Sequence, residues 1–155
     1  MSDIKRAGVI PYFECDNGDR MYSLGVDTLS KELSDWGGGV RKSDSNPYEA
    51  ASRELKEETL GCIDLSPHQI SLGTVLVDNS VLISFVAVDK GVLLSCVSNF
   101  RKRHSKIQRD KGESEMCGVK LLTTKDLQTC IQNDLVYDVV ASVLRKHSDK
   151  IQLII

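Results

Sequence analysis

Apolar residues occur in short runs along the first half of the chain, and the polar stretches between these runs contain turn residues. Residues 8–13 (GVIPYF) and 20–26 (RMYSLGV) are rich in β-branched and aromatic side chains, and the intervening ECDNGD has turn chemistry. This pattern predicts a β-hairpin. By the same reasoning, residues 70–77 and 81–88, which flank a polar turn at 78–80, predict a second hairpin.

The last third of the chain predicts one more strand and two helices. The strand is residues 117–122 (CGVKLL), the first helix begins with Thr124 as its N-cap, and the second covers 134–146 (DLVYDVVASVLRK). Six apolar residues of the second helix recur at helical spacing: Leu135, Val136, Val139, Val140, Val143 and Leu144. This stripe is typical of a helix face that packs against a core.

A third helix is predicted over about 47–60, between the two groups of strands. Asn46 is a favoured N-cap residue, Pro47 suits the first helical position, and Glu49 completes a capping-box pattern. An inward apolar stripe is formed by Ala50, Ala51 and Leu55. Three glutamates share one face within a single turn, because they occupy positions i, i+3 and i+4: Glu54, Glu57 and Glu58.

The composition limits the possible fold classes but indicates no binding partner. The 155 residues suit one globular domain over 1–155, and 41% hydrophobic with 27% charged residues at a net charge of −2 argue against disorder. The five cysteines have no metal-ligand spacing, which predicts buried thiols in a reducing, intracellular compartment such as the cytoplasm. No apolar run is long enough for a signal peptide or a membrane span, so no membrane partner is expected.

The acidic helix face has two interpretations. A solvated surface, partly neutralised by Arg53 and Lys56, is common, and exposed like-charge pairs cost only a few tenths of a kcal/mol. Alternatively, the face binds a ligand, because it follows the glycine-rich segment 36–42 (WGGGVRK), where backbone can approach a ligand closely. Hard cations such as Mg²⁺ require oxygen ligands. The glycine-rich loop beside the carboxylates therefore favours a metal and phosphate site.

The segment 39–63 (GVRKSDSNPYEAASRELKEETLGCI) resembles the signature of the Nudix (MutT-like) hydrolases. That signature reads Gly, five residues, Glu, seven residues, then Arg-Glu-apolar-x-Glu-Glu-x-Gly-apolar. Gly39 matches the first glycine, and the central core matches in register through Arg53, Glu54, Leu55, Glu57 and Glu58. The preceding Trp36, Gly37 and Gly38 also resemble the family's approach to this loop.

The chain departs from the signature at two positions. Ser45 stands where the family has its first glutamate, and the closing glycine comes one residue late, as Gly61. The first glutamate commonly pairs with the motif arginine in the family, so Arg53 is expected to find Asp44 or Glu49 instead. Gly61 is compatible with a left-handed helix cap one residue further on.

The resemblance implies an α+β architecture, the Nudix fold, with a mixed β-sheet sandwiched between helices and a loop-helix-loop motif at the active site. It also implies a pyrophosphohydrolase that cleaves a nucleoside diphosphate linked to another group with the help of Mg²⁺ or Mn²⁺. Candidate substrates are nucleoside triphosphates, nucleotide sugars or ADP-ribose, dinucleoside polyphosphates, inositol pyrophosphates and capped RNA. A Nudix-fold nucleotide or RNA binding module that has lost turnover is the competing hypothesis, motivated by Ser45.

The resemblance also implies the roles of individual residues. The metal ligands would be Glu54, Glu57 and Glu58, with a carbonyl of Gly38 or Gly39 as a further ligand. Family members often add a distant glutamate before a late strand, for which Glu115 is the better candidate and Glu113 the second. The catalytic set is therefore Arg53, Glu54, Glu57 and Glu115. Trp36 and Tyr48 are candidates to stack on a base, with structural packing as the equal alternative.

A basic segment follows the second hairpin. Residues 101–111 carry six basic side chains and one aspartate, a net charge of +5 against −7 for the rest of the chain. A solvated loop or helix is the simpler interpretation. The functional one is an electropositive flap beside the site, in which Arg101, Lys102 and Arg103 bind a polyanionic substrate such as capped RNA.

WGGGVRK and EETLG are also similar to Nudix proteins of large DNA viruses, some of which remove mRNA caps. This similarity places an mRNA cap among the candidate substrates.

The sequence leaves the oligomeric state open, with a homodimer through the apolar hairpin face as one option.

Overall fold

The computed structural model describes residues 3–111 and 115–155. Its strands are β1 (Arg6–Glu14), β2 (Arg20–Asp27), β3 (Leu33–Ser34), β4 (Trp36–Gly39), β5 (Thr74–Asp78), β6 (Val81–Ala87) and β7 (Met116–Thr123). Its helices are α1 (Pro47–Glu58), α2 (Pro67–Ser71), α3 (Lys90–Lys111), α4 (Thr124–Gln132) and α5 (Asp138–Lys146), followed by a 3₁₀ helix (Ser148–Ile151).

Strand β1 is the centre of a mixed seven-stranded sheet. Along one edge it pairs antiparallel with β4 and then with β2, and along the other it pairs parallel with β6. Strand β2 continues the sheet to β3 and β7, and β5 completes a hairpin with β6. Both predicted hairpins are therefore confirmed. The sheet brings β4 beside the start of β1, directly below helix α1.

Alternating residues of β1 supply two hydrophobic cores, one on each face of the sheet, because successive side chains of a strand point to opposite faces. Ile10 and Tyr12 face the core that α4 and α5 cover, whereas Ala7, Val9 and Phe13 face the core beneath α1, α2 and α3. A mixed sheet between two helical layers confirms the predicted α+β class.

The predicted strand 70–77 was too long at its N-terminal end. Residues Pro67–Ser71 form α2, and strand β5 starts only at Thr74. Ser66 and Gln69 form a reciprocal capping box, in which each side chain accepts a hydrogen bond from the other residue's backbone N–H. This local pairing fixes a short helix whose Ile70 is fully buried.

Two further segments differ from the sequence-based expectation. Residues 36–39, predicted as part of a glycine-rich loop, form strand β4, because their backbone pairs with β1. The basic segment lies on α3, whose apolar residues Leu93, Cys96 and Phe100 are buried against the sheet. The choice between loop and helix is thus resolved in favour of a helix.

The C-terminal helices begin at different residues than predicted. Thr123, and not Thr124, is the N-cap of α4, and its side chain accepts a hydrogen bond from the Asp126 N–H. Helix α5 begins at Asp138, because residues 135–137 run alongside β3 instead, with Leu33 and Val136 forming a parallel bridge. Consequently Leu135 is exposed, while Val140, Val143 and Leu144 occupy the core as predicted.

Candidate metal centre

Helix α1 carries the motif and begins at Pro47 as predicted, but it ends at Glu58, two residues before the predicted end. The Asn46 side chain accepts a hydrogen bond from the Glu49 N–H at 3.1 Å, and Pro47 occupies the first turn. The predicted inward stripe of Ala50, Ala51 and Leu55 is fully buried. At its C-terminal end the chain enters the left-handed region at both Leu60 (φ 56°) and Gly61 (φ 78°). The glycine that comes one residue late thus lies in the predicted left-handed cap, after a leucine that adopts the same conformation.

Three carboxylates converge where α1 faces the start of β7. An oxygen of Glu54, one of Glu58 and one of Glu115 all lie within 4.8 Å of one another. Glu54 and Glu58 are adjacent because they are one helical turn apart, and both are buried, with 9% and 7% of their surface exposed. Glu115 reaches them from the other side of a cleft, where its backbone carbonyl accepts a hydrogen bond from the Thr28 N–H.

The geometry suits a small, hard cation. Oxygen ligands of Mg²⁺ lie about 2.1 Å from the ion, so opposite ligands are roughly 4.2 Å apart and neighbours are closer. The observed separation of at most 4.8 Å needs only small side-chain adjustments to meet this requirement. Two of the three carboxylates are buried beside each other, an arrangement that a cation would stabilise.

Glu58 is held from below by the sheet. Its Oε1 accepts a hydrogen bond from the Gly37 N–H at 2.8 Å, which fixes the carboxylate over the edge of β4. Burial, followed by the nearby charges of Asp35, Glu54 and Glu115, raises the pKa of Glu58 to about 9. In the absence of a cation, Glu58 therefore holds a proton at neutral pH, and cation binding must displace it.

Glu54 lies flat against a glycine. A Cβ atom built on Gly38 would come within 2.5 Å of the Glu54 carboxyl carbon, so any side chain at this position would displace the carboxylate. Burial also raises the pKa of Glu54, although the hydrogen bond from Arg53 opposes this shift. The glycines of β4 therefore serve the close approach of backbone to the carboxylates, as the sequence suggested, but from a strand.

Arg53 binds the carboxylate of Asp44, the residue before Ser45, where the Nudix signature has a glutamate. Its Nη2 donates to Asp44 at 2.9 Å and to the Gly39 carbonyl at 3.2 Å, while its Nη1 donates to Glu54 at 2.9 Å. The hydrogen bond from Arg53 lowers the pKa of Asp44. Of the two expected partners, Asp44 and not Glu49 makes this contact. Arg53 thereby ties the loop before α1 to a carboxylate of the cluster.

Solved structures with this fold were found by structural comparison. The chain resembles RenU, a Nudix hydrolase from M. smegmatis, with a TM-score of 0.54 and 12% identity over 98% of this chain and 90% of that one. It also resembles a Nudix hydrolase from Nitrosomonas europaea, with a TM-score of 0.50 and 14% identity over 94% and 90% of the two chains. The chain has the Nudix fold. An Ap4A hydrolase from C. elegans, in a binary complex, is similar as well, with a TM-score of 0.57 and 17% identity over 96% and 98%.

No protein-family model matches the sequence, and no curated protein matches it either. The Nudix fold therefore rests on the three-dimensional comparison together with the motif on α1. Across residues 3–111 and 115–155, no helix is both long and apolar enough to cross a lipid bilayer.

Glu57, although it lies on α1, stands apart from the cluster that Glu54 and Glu58 form with Glu115. Its side chain is 51% exposed and lies 3.9 Å from Arg53, and it lines the cleft together with Leu60 and Met116. The structure thus brings Glu54, Glu58 and Glu115 together and leaves Glu57 as an exposed residue that lines the cleft. Glu113, the second candidate for the distant glutamate, lies outside the described residues.

The two glycine carbonyls proposed as ligands differ in their surroundings. The Gly39 carbonyl already accepts a hydrogen bond from Arg53, whereas Gly38 packs directly against the Glu54 carboxylate. Gly38 is therefore the closer of the two to the carboxylate cluster.

The basic segment of α3 contacts the C-terminal end of α1 through Arg103. Arg103 donates from Nη1 to the Leu60 carbonyl at 2.7 Å and so binds the C-terminal end of α1. Arg103 is thus partly structural, whereas the side chains of Arg101 and Lys102 are exposed on α3. The side chains of residues 108–111 lie outside those described.

The expectation that Trp36 stacks on a base is corrected by the structure. Trp36 is 0% exposed, packs near Phe100 and donates from its indole nitrogen to the Ser23 hydroxyl at 3.3 Å. Its role is packing beneath α3. Tyr48, the other aromatic candidate, is half-buried and packs against the same core.

Sequence reasoning missed a buried ion pair next to Glu58. Arg6 makes two parallel hydrogen bonds to Asp35, at 3.0 and 2.7 Å, and the Asp35 side chain is fully buried. Gly8 and Gly37 provide the space, because a Cβ on either would contact the Asp35 carboxylate. Arg6 and Asp35 are 29 residues apart and belong to no motif, so no signal in a single sequence indicates this pair.

Proposed function

We propose that residues 1–155 form a single Nudix domain that acts as a metal-dependent pyrophosphohydrolase. The observation that carries this proposal is the convergence of Glu54, Glu58 and Glu115 within 4.8 Å. Two of these glutamates come from the motif, and the third comes from a segment more than fifty residues later in the chain. A solvated acidic surface does not require a distant carboxylate to meet two buried ones.

The residues of the cluster have distinct tasks in this proposal. Glu54, Glu58 and Glu115 hold Mg²⁺ or Mn²⁺, and Arg53 fixes the orientation of Glu54 through its hydrogen bond. The bound cation would neutralise charge on the pyrophosphate and promote attack of water on phosphorus. Glu57 lines the cleft with an exposed carboxylate, so it is the group best placed to accept the proton of the attacking water.

The substrate in this proposal is a nucleoside diphosphate linked to another group. The similarity to an Ap4A hydrolase supports dinucleoside polyphosphates as one candidate class. The exposed Arg101 and Lys102 support a longer polyanion, such as capped RNA, because α3 is fixed to the end of α1 by Arg103. Nucleoside triphosphates, nucleotide sugars and inositol pyrophosphates complete the set to be tested.

The competing function is a Nudix-fold binding module without turnover. Ser45 motivates this alternative, but Asp44 supplies the carboxylate that Arg53 requires. The loss of the motif glutamate is thus compensated by a neighbouring residue, which favours the enzyme.

All five cysteines are free thiols, which supports the expectation of a reducing compartment such as the cytoplasm.

Product analysis by mass spectrometry tests the proposed function. The purified protein is incubated with Mg²⁺ or Mn²⁺ and a panel that contains every substrate class named above. Cleavage of a pyrophosphate bond by the wild type and the Glu14→Gln variant, but not by Glu58→Gln, is expected. Glu14 is a suitable control because it is an exposed carboxylate at the far end of β1. Absence of cleavage across the panel would favour the binding module.

A further inference from the structure

A cavity of about 420 Å³ lies directly beside the metal centre. Its lining includes Arg6, Glu32, Ser34 and Tyr137, and it shares Glu58 and Met116 with the cleft in which Glu57 and Glu115 lie. The volume is within the range of small-molecule sites, about 300 to 1,000 Å³. A ligand in this cavity would therefore reach the carboxylate cluster across Glu58 and Met116.

One polar group of this cavity that has no partner among the described residues is the carboxylate of Glu32. Within residues 3–111 and 115–155, it has neither a hydrogen-bond donor nor a cation as partner, although the residue is half-buried. The other acids of the lining are engaged: Asp27 accepts hydrogen bonds from the backbone of Leu29 and Ser30 through one oxygen. As a carboxylate, Glu32 can only accept hydrogen bonds, and it can accept two in parallel.

The turn that carries Glu32 is stiffened by its own hydrogen bonds. The Asp27 N–H donates to the Glu32 carbonyl at 2.9 Å, and the Lys31 N–H donates to the Asp27 carbonyl at 2.9 Å. The Ser30 hydroxyl also accepts from the Glu32 N–H at 3.2 Å. These contacts fix the position of the Glu32 backbone before any ligand binds, which lowers the entropic cost of recognition.

An aromatic ring forms another wall of the cavity. Tyr137 is 38% exposed, and its position is set by a hydrogen bond from its N–H to the Leu33 carbonyl, the residue that follows Glu32. Arg6 lies 5.6 Å from the ring centroid, but its charge is already paired with Asp35. The cavity thus offers the flat ring of Tyr137 and the two acceptor oxygens of Glu32. Arg6 is not free to bind a phosphate, because it is paired with Asp35.

We propose that this cavity binds the guanine base of the substrate. The Glu32 carboxylate accepts hydrogen bonds from the guanine N1–H and the exocyclic amino group, while Tyr137 stacks on the base. The phosphates then extend past Glu58 to the carboxylate cluster. This assignment deepens the proposed function and rests on it, since it selects guanine nucleotides among the substrate classes.

The pattern of donors and acceptors distinguishes guanine from adenine. Guanine presents two adjacent N–H donors on its Watson–Crick edge, which match the two oxygens of a carboxylate. Adenine presents one donor and one acceptor, and its N1 lone pair would face a carboxylate oxygen without a hydrogen. A polar group left unpaired in this way costs at least about tenfold in discrimination.

Equilibrium binding of GMP and AMP tests the assignment without requiring hydrolysis. Titration calorimetry in EDTA is expected to show that the wild type and Glu14→Gln bind GMP at least about tenfold more tightly than AMP. Glu32→Gln should weaken GMP binding and strengthen AMP binding, because an amide presents one acceptor and one donor, the pattern that matches adenine. Tyr137→Leu should weaken both nucleotides by a similar factor, since stacking does not depend on the base.

The proposal is overturned if the wild type binds GMP and AMP equally, binds neither at millimolar concentration, or keeps its preference in Glu32→Gln. These results are independent of turnover. A preference for GMP without any cleavage would support the base site and contradict the proposed function. Equal cleavage of adenine and guanine substrates would support the proposed function and contradict the base site.

Discussion

Asp44 accepts a hydrogen bond from Arg53 at 2.9 Å, one residue before Ser45, the position at which the Nudix signature has a glutamate. The side chain of Asp44 is largely buried by this contact. Arg53 in turn donates to Glu54, so the pair connects the loop before α1 to the carboxylate cluster. Arg53 therefore has a carboxylate partner, Asp44, although the sequence has a serine at position 45.

Removing the Asp44 carboxylate should impair the proposed metal centre through Arg53. We expect Asp44→Asn to lower kcat at saturating metal by about tenfold or more, because a misplaced group beside the chemistry costs at least this much. Ser45→Ala is the matched control and should retain wild-type rates, since Ser45 is exposed. Steady-state kinetics on the substrate found by product analysis would measure both. Equal rates in the two variants would show that Asp44 does not replace the motif glutamate.

The space at Gly38 is a second test of the cluster. Gly38→Ala places a Cβ 2.5 Å from the Glu54 carboxyl carbon, so the carboxylate must move and Mn²⁺ binding should weaken by about tenfold or more. Gly39→Ala is the control, because the nearest atom to a Cβ there is the Lys5 carbonyl oxygen at 4.0 Å. Mn²⁺ titration followed by electron paramagnetic resonance measures the affinity of each variant. Similar affinities for both variants would exclude Glu54 as a ligand.

The proton on Glu58 predicts a pH-dependent stability in EDTA. The pKa of Glu58 is about 9 in the folded protein against an ordinary value of 4.5. Between these values the folded protein keeps a proton that the unfolded chain has lost. The free energy of unfolding should therefore fall as pH rises through this window, by about 1.4 kcal/mol per pH unit at most, and be unaffected below it.

Urea denaturation in EDTA at several values between pH 5 and pH 9 measures this slope. Glu58→Gln should remove the part of the slope that belongs to Glu58. Addition of Mn²⁺ should stabilise the wild type more at high pH than at low pH, because the cation competes with the proton. A wild-type slope identical to that of Glu58→Gln would contradict the buried, protonated state of Glu58.

The basic surface of α3 predicts a difference between substrates of different length. Arg101→Gln combined with Lys102→Gln should weaken binding of a capped RNA far more than binding of a mononucleotide, and the RNA affinity should become less salt-dependent. Arg103→Gln should instead lower the melting temperature, because it loses the hydrogen bond to Leu60. Fluorescence anisotropy at several salt concentrations measures the first effect. Equal losses of affinity for the capped RNA and the mononucleotide would favour the interpretation of this surface as a solvated helix face.

The sequence was informative wherever a local pattern decided the structure. Helix α1 is predictable from its cap and its spacing. The resemblance to the Nudix signature, and not a local pattern, led to Glu115 as the better candidate for a distant glutamate, and the structure brings Glu115 close to Glu54 and Glu58. Helices α2 and α3 also carry local signals in the sequence. These are the Ser66 to Gln69 capping box and, on α3, the apolar residues at helical spacing that precede the basic segment.

Non-local contacts account for the remaining differences. Gly37 and Gly38 belong to a strand because β1 pairs with them, and Trp36 is buried in part because Phe100 of α3 packs near it. The cavity beside Glu58 is lined by the start of β1, the turn after β2 and the segment before α5, together with residues of β4, α1 and β7. No spacing along the chain relates these segments, so the cavity is visible only in three dimensions.

Mn²⁺ binding to Glu115→Gln, measured by isothermal titration calorimetry, tests the central claim most directly, because Glu115 joins the cluster through the fold and not through the motif. The wild type and the Glu14→Gln control should bind Mn²⁺ alike, and Glu115→Gln should bind it at least about tenfold more weakly. An affinity of Glu115→Gln equal to that of the wild type would contradict a metal centre formed by Glu54, Glu58 and Glu115.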